Sequence, residues 1–188
     1  MKNKLIQEIR DYVPCNPQEE ADKALILEFM EGNQDVSLRE YPVAHLTASA
    51  WVVTPDRSRV LMAYHNLYDS WAWLGGHADG NWDLRAVAQK EAEEESGITG
   101  LRPLDGIASL EVLTVSGHEK KGRYLSSHLH LNLTYLFEAD PQAPLRIKPD
   151  ENSLVGWIPV EEIGIKSTEP WFVERIYSKL IEKSNSQR

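Results

Sequence analysis

An α+β sandwich, a mixed sheet flanked by helices, is the fold class that three features of the chain predict. Runs of alternating polar and apolar residues stand on both sides of one central helical stretch. A glycine closes that stretch, and an amphipathic helical pattern follows the last strand-like run. Strands, helix, strands and helix in this order give a sheet with helices packed on it.

The elements can be justified in turn. Residues 1–40 read as a helical extension of two helices, broken at Pro14-Cys15-Asn16-Pro17, because each proline removes a backbone donor. Leu5, Ile6 and Ile9 form the first apolar face; Ala24, Leu25, Leu27, Phe29 and Met30 belong to the second. This extension could pack on the domain, mediate a homodimer, or form part of a substrate wall. Residues 41–188 form the main domain. His45, Thr47 and Ser49 alternate with Leu46, Ala48 and Ala50, which predicts a strand with one polar face. The turn at Thr54-Pro55-Asp56-Arg57 returns the chain through Arg59 to His65 as a hairpin.

Trp71 to Leu74 lead into Gly75-Gly76, read as a turn, and Asp79, Asn81 and Asp83 are candidate helix caps. The helix that follows ends at Gly97, placed as the left-handed residue after the last turn. Its periodicity puts Val87, Ala88 and Ala92 on the packing stripe. Glu91, Glu94 and Glu95 fall on the same stripe, and Glu93 and Ala86 point away.

Beyond it, residues 107–115 predict a strand, 116–124 a polar loop, and 128–135 the longest strand, with His128, His130, Asn132 and Thr134 on one face. Residues 140–152 are a loop, 154–159 a short strand, and 159–163 a helical turn. The closing helix spans 169–183 with Trp171, Phe172, Ile176 and Leu180 inward.

Composition limits the function classes. Hydrophobic residues make up 41% and charged residues 26% of the 188, as in a soluble globular protein with a real core. A net charge of −9 argues against gripping a nucleic-acid backbone, and repels phosphorylated small molecules unless a metal ion bridges them. Cys15 is the single cysteine, so no intrachain disulfide forms. No apolar run reaches membrane-spanning length, and the first residues lack a signal-peptide core, so no membrane partner and a cytoplasmic location are expected.

The glutamates carry the chemistry. Three carboxylates at the edge of an apolar stripe repel one another in a medium of reduced dielectric, and so call for a counter-charge. Oxygen ligands from one helical turn, with no histidine or cysteine among them, suit Mg²⁺ or Mn²⁺ better than zinc.

The stretch from Gly76 to Ile98 resembles the Nudix box: a glycine, five residues, a glutamate, seven residues, then Arg-Glu-apolar-x-Glu-Glu-x-Gly-apolar. Glu91, Ala92, Glu94, Glu95, Gly97 and Ile98 stand at their motif positions. Trp82 replaces the first glutamate and Lys90 the arginine, which keeps the charge but not the planar fork. The resemblance implies an α/β/α sandwich over roughly residues 41–183. It also implies metal-dependent attack of water on phosphorus in a nucleoside diphosphate linked to another group. Glu94 and Glu95 are then metal ligands, Glu91 a ligand or the general base, and the Gly75 carbonyl a further ligand. Glu151, and less directly Glu119, are reserve bases.

The face carrying His45, Thr47, His128 and His130, with His77 and Trp73, is read as lining the substrate. A zinc site built on His128-x-His130 with His77 or His45 is the rival reading of the histidines. Trp71, Tyr64, Tyr68 and Trp157 could also stack on a base, against the plainer role of core and rim packing. Two other functions compete: a nucleotide-binding sensor without turnover, suggested by Trp82 and Lys90, and an isoprenoid-diphosphate isomerase, weakened because Cys15 lies in the extension.

Overall fold

A computed structural model describes residues 1–32, 34–104, 106–120 and 122–186. Helices α1 (Lys2–Asp11) and α2 (Pro17–Glu31) come first, and Asn16 caps α2 by accepting from the Glu19 N–H. Leu5, Ile6 and Ile9 are buried, as the pattern predicts. On α2 the inward residues are Glu19, Ile26 and Met30, whereas Ala24 is exposed and Leu25, Leu27 and Phe29 are only half-buried. That run is apolar nearly all round, so periodicity could not choose its face.

The sheet is mixed. Strand β1 (Ala44–Val53) lies parallel to β9 (His128–Glu138), with His45 opposite His130 and Thr47 opposite Asn132. On the other side β1 pairs antiparallel with β2 (Arg59–His65) and β4 (Leu74–His77); β2 also pairs with β3 (Ser70–Ala72) and β10 (Asn152–Pro159). Strand β9 pairs with β5 (Arg102–Pro103) and β6 (Ser109–Val115). All ten residues of β1 are buried, so its polar face is covered as well as its apolar one. The expected loop after β6 contains instead a small hairpin, β7 (His118–Lys120) with β8 (Arg123–Leu125).

One core lies between the apolar face of β1 and β9 and the helices α1, α2 and α3 (Leu84–Ser96). The second lies on the opposite face, where Trp51, Val53, Val60, Met62 and Leu136 meet Ile163, Ile176, Tyr177 and Leu180. The last three come from a closing helical segment: α5 (Pro170–Phe172), a π-turn (Val173–Tyr177) and α6 (Ser178–Ser186), preceded by α4 (Ile163–Lys166). Trp171 is exposed rather than inward, because the π-turn rotates this helix away from a regular period. Among the described residues no helix is long and apolar enough to cross a membrane.

A buried ionic cluster ties α2 to the sheet and to α6. Glu19 is 3.1 Å from Lys179 and 3.0 Å from Lys183, and Lys179 is 2.9 Å from Glu111 on β6. Tyr12 donates to Glu19 at 2.6 Å and Ser109 donates to Glu19 at 3.1 Å. Burial alone would raise the Glu19 carboxyl, but the Tyr12 hydroxyl, the Cys15 N–H and the two lysines bring it down to about 2.

Candidate active site

Strand β4 and helix α3 bring the glutamates together. Asp83 caps α3 by accepting from the Ala86 N–H at 3.1 Å, and Asn81 accepts from the Asp83 N–H at 3.0 Å. Asp79 instead grips Arg39 through two bonds. Gly97 ends the helix with φ 70°. Leu84, Val87, Ala88 and Ala92 are buried in the first core, as the helical stripe requires.

Gly75 and Gly76 are strand residues, not a turn; the reversal lies at Asp79-Gly80, with φ 45° and 86°. Their need for glycine is close approach. A Cβ on Gly75 would stand 2.5 Å from the Ala48 carbonyl, and one on Gly76 2.6 Å from the Glu91 carboxyl carbon. Gly76 thus lets the Glu91 side chain lie against the strand.

Glu95 is buried, 6% exposed, and accepts one hydrogen bond, from the Gly75 N–H at 3.1 Å. Burial raises its carboxyl to about 8; the Gly75 bond opposes the shift, and the charges of Glu151 and Glu91 add to it. Around it two lysines sit among the other acids. Lys90 Nζ is 3.2 Å from Glu91 and 3.0 Å from Glu94, while Lys148 Nζ is 3.0 Å from Glu151 and 3.9 Å from Glu94. Glu94 is the outermost of the box glutamates, its side chain 45% exposed, so the inward stripe holds Glu91 and Glu95 more firmly than Glu94. Glu93 is half-buried and accepts from Gln89 instead of standing free in water.

Glu151 reaches this cluster because its loop is tethered. Asn152 donates to the Glu95 carbonyl at 2.9 Å, and the Glu151 carbonyl accepts from the Asn66 N–H at 3.0 Å. Lys148 and Asn152 escaped the sequence reading. The sole trace was the spacing of Lys148 three residues before Glu151 in a charged loop.

A divalent cation fits this donor set. All the donors are oxygens, and Glu95 is a buried acid whose nearest charged influences are mainly other acids. Trp82, at the departure from the box, packs half-buried on the first core, with Lys2 Nζ 5.4 Å from its ring. It therefore seats α1. Lys90, at the other departure, spans Glu91 and Glu94 as a point charge.

The residues read as a substrate wall lie on the opposite face of the sheet from α3, and much of that face is closed. Thr47 and Ser49 both donate to the Asn132 side chain, at 3.0 and 2.9 Å, and Asn132 donates to Glu111. Thr47 is thereby buried and satisfied within the protein, by a chain that runs through Asn132 and Glu111 to Lys179 of α6. Trp73 packs edge-on against Tyr177 and Phe172. Trp71 stands edge-on to Tyr64, Trp157 packs on the first core, and Tyr68 stays exposed beside His65.

His45, His77, His128 and His130 gather at the other end of the face. His45 is 5% exposed and the other three are half-buried. Burial holds the imidazoles of His45 and His130 down, to about 4 and about 2, and neighbouring histidines lower both further.

The structure is thus a mixed sheet between helical layers, with a glutamate-rich helix laid along a glycine strand. The family model for the NUDIX domain matches residues 43–180. The chain belongs to the NUDIX family and is an enzyme of the Nudix pyrophosphohydrolase type. No curated protein matches its sequence. Solved structures share the fold at low identity. An Ap4A hydrolase of C. elegans, in a binary complex, is 17% identical with a TM-score of 0.53, the match covering 75% of this chain and 95% of that one. A MutT protein from Methanosarcina mazei Go1 is 16% identical with a TM-score of 0.53, covering 79% and 98%. RenU, a Nudix hydrolase from M. smegmatis, is 16% identical with a TM-score of 0.50, covering 76% and 87%.

Proposed function

We propose that the chain hydrolyses a phosphoanhydride bond in a nucleoside diphosphate linked to another group, in the cytoplasm and with Mg²⁺ or Mn²⁺. The observation that carries this reading is Glu95, a buried carboxyl fixed by the Gly75 N–H and crowded by Glu91 and Glu151. A cation bound beside it would favour its charged form against burial and against its acidic neighbours. Glu94 and Glu95 would hold the ions, with the Gly75 carbonyl as a further donor and Glu91 a ligand where it does not serve as the base. The ions would neutralise charge on the diphosphate and acidify a water.

The chain's own residues have distinct tasks. Glu91, laid against Gly76, is the general base that takes the proton of the attacking water; Glu151 is the second candidate, held in reach by Asn152. Lys90 and Lys148 orient the carboxylates and offset charge at the entrance of a chain with a net charge of −9. The Ap4A hydrolase among the structural relatives makes dinucleoside polyphosphates one substrate class to include.

The test is a screen of diphosphate compounds with Mg²⁺ or Mn²⁺, repeated with Glu95→Gln, Glu91→Gln and Glu151→Gln. Glu95→Gln is expected to lower kcat/KM by ~100-fold or more. Turnover that survives it would place the chemistry elsewhere, and a near-normal rate for Glu91→Gln would pass the base to Glu151.

A further inference from the structure

Five of the six histidines of this chain meet at one end of the sheet, on the face away from α3. The topology makes this possible. Residues two apart on a strand share a face, so His128 and His130 project together from β9. Parallel register sets His45 of β1 beside His130, and antiparallel register sets His77 of β4 beside Thr47, the next residue of that face. Ring centroids of His45 lie 4.8 Å from His128, 4.9 Å from His130 and 5.1 Å from His77, and His77 is 5.0 Å from His130.

The ring nitrogens of this cluster lack what buried polar atoms normally have. Both nitrogens of His45 and Nε2 of His130 are buried with no hydrogen-bond partner. The Tyr41 backbone exerts a weak pull on His45, but it makes no bond of acceptable geometry. Buried polar groups are satisfied in the great majority of cases, and leaving one unmade costs roughly 1–3 kcal/mol. Three such atoms within one cluster therefore indicate a missing partner. Packing does not supply it, since imidazoles are poor substitutes for the aliphatic side chains that fill the rest of both cores.

We propose that His45, His128 and His130, with His77 as the fourth side chain, form a binding site for a first-row transition ion, Zn²⁺ in the first instance. This site is separate from the carboxylates of α3. Among the described residues, these three histidines are the set whose ligating atoms are close enough to share an ion, all within 4.8 Å of one another. Nitrogens on a tetrahedral Zn²⁺ at 2.0–2.1 Å stand ~3.4 Å apart, so closure needs side-chain rotation of about an ångström and no strand movement. The tautomer of His128 is already chosen for this task. Its Nδ1 is 2.8 Å from the Ser126 carbonyl, so Nδ1 carries the proton and Nε2 the lone pair. Imidazole nitrogen suits zinc, copper, nickel or iron, whereas Mg²⁺ prefers oxygen, so the two centres take different ions. The half-buried positions of His77, His128 and His130 leave a route for the ion to enter.

The test uses tag-free full-length protein stripped with chelator. To remove the carboxylate site from the measurement, Zn²⁺ titration calorimetry and Co²⁺ absorption are run on the Glu91→Gln/Glu95→Gln variant. One ion per chain is expected, with visible Co²⁺ bands of nitrogen ligation that Zn²⁺ abolishes. His128→Gln and His130→Gln, each checked for folding by circular dichroism, are expected to weaken Zn²⁺ binding by ~100-fold or more, since loss of an outer partner alone costs 10–100-fold. Glu119→Gln, on the neighbouring hairpin, is the control that leaves it unchanged. Absence of Co²⁺ bands, or Zn²⁺ binding that persists in folded His128→Gln and His130→Gln, would overturn the proposal. Hydrolytic activity plays no part in either readout.

Discussion

Two buried glutamates of one chain, Glu19 and Glu95, show how partners rather than burial decide what an acid does. Glu19 is 0% exposed and Glu95 6%. Yet the first is lowered to about 2 and the second raised to about 8. Glu19 is enclosed by Tyr12, Lys179 and Lys183, which repay its desolvation and bind three segments distant in sequence. Glu95 has one backbone N–H and two acidic neighbours, and the Lys148 charge that opposes them is shared with Glu151 and Glu94, so its charge is only partly compensated by the protein. The first arrangement is structural, and the second is poised for a cation.

Removing one partner from the compensated cluster should produce the largest effect. Glu19→Gln takes the carboxylate from Lys183 and leaves Lys179 with Glu111 alone, and is expected to lower stability by about 3–5 kcal/mol, read by urea denaturation. Glu95→Gln should act in the opposite sense. In metal-free protein at pH 8 it is expected to raise stability, by up to ~4 kcal/mol, because it removes a charge the folded state disfavours. Equal destabilisation by the two substitutions would erase the distinction.

The pH dependence sharpens the same contrast. Glu19 falls below the ordinary 4.5 on folding, so its contribution is present above 4.5 and is lost as pH falls toward 2. Glu95 rises above 4.5, so the folded state is favoured below 4.5 and loses that advantage as pH climbs toward 8. Denaturation midpoints from pH 2 to 9 should show both limbs in the wild type. The acid limb should shrink in Glu19→Gln and the alkaline limb in Glu95→Gln.

Smaller effects are expected where the extension meets the box. Trp82→Ala should cost ~1–3 kcal/mol by unseating α1, with the pattern of metal-dependent turnover retained. Lys2→Ala, which removes only the cation over that ring, should cost ~0.5 kcal/mol. A collapse of activity with intact stability in Trp82→Ala would instead place the tryptophan in the reaction.

The sequence by itself determined the main strands β1, β2, β6, β9 and β10, the helices on either side of them, the capping and end of α3, and the placing of Glu91 and Glu95 on its inward stripe, because periodicity and spacing are local properties of the chain. It misjudged what depends on contact across the fold. Gly75 and Gly76 look like a turn until Ser49 and Glu91 are seen pressed against them. Thr47 looks like a substrate contact until Asn132 and Glu111 close over it. Only the tertiary structure could bring Glu151 to Glu95, pair Glu19 with Lys179 across 160 residues, or assemble histidines from three strands, since strand register and helix docking are set by packing that no single segment encodes.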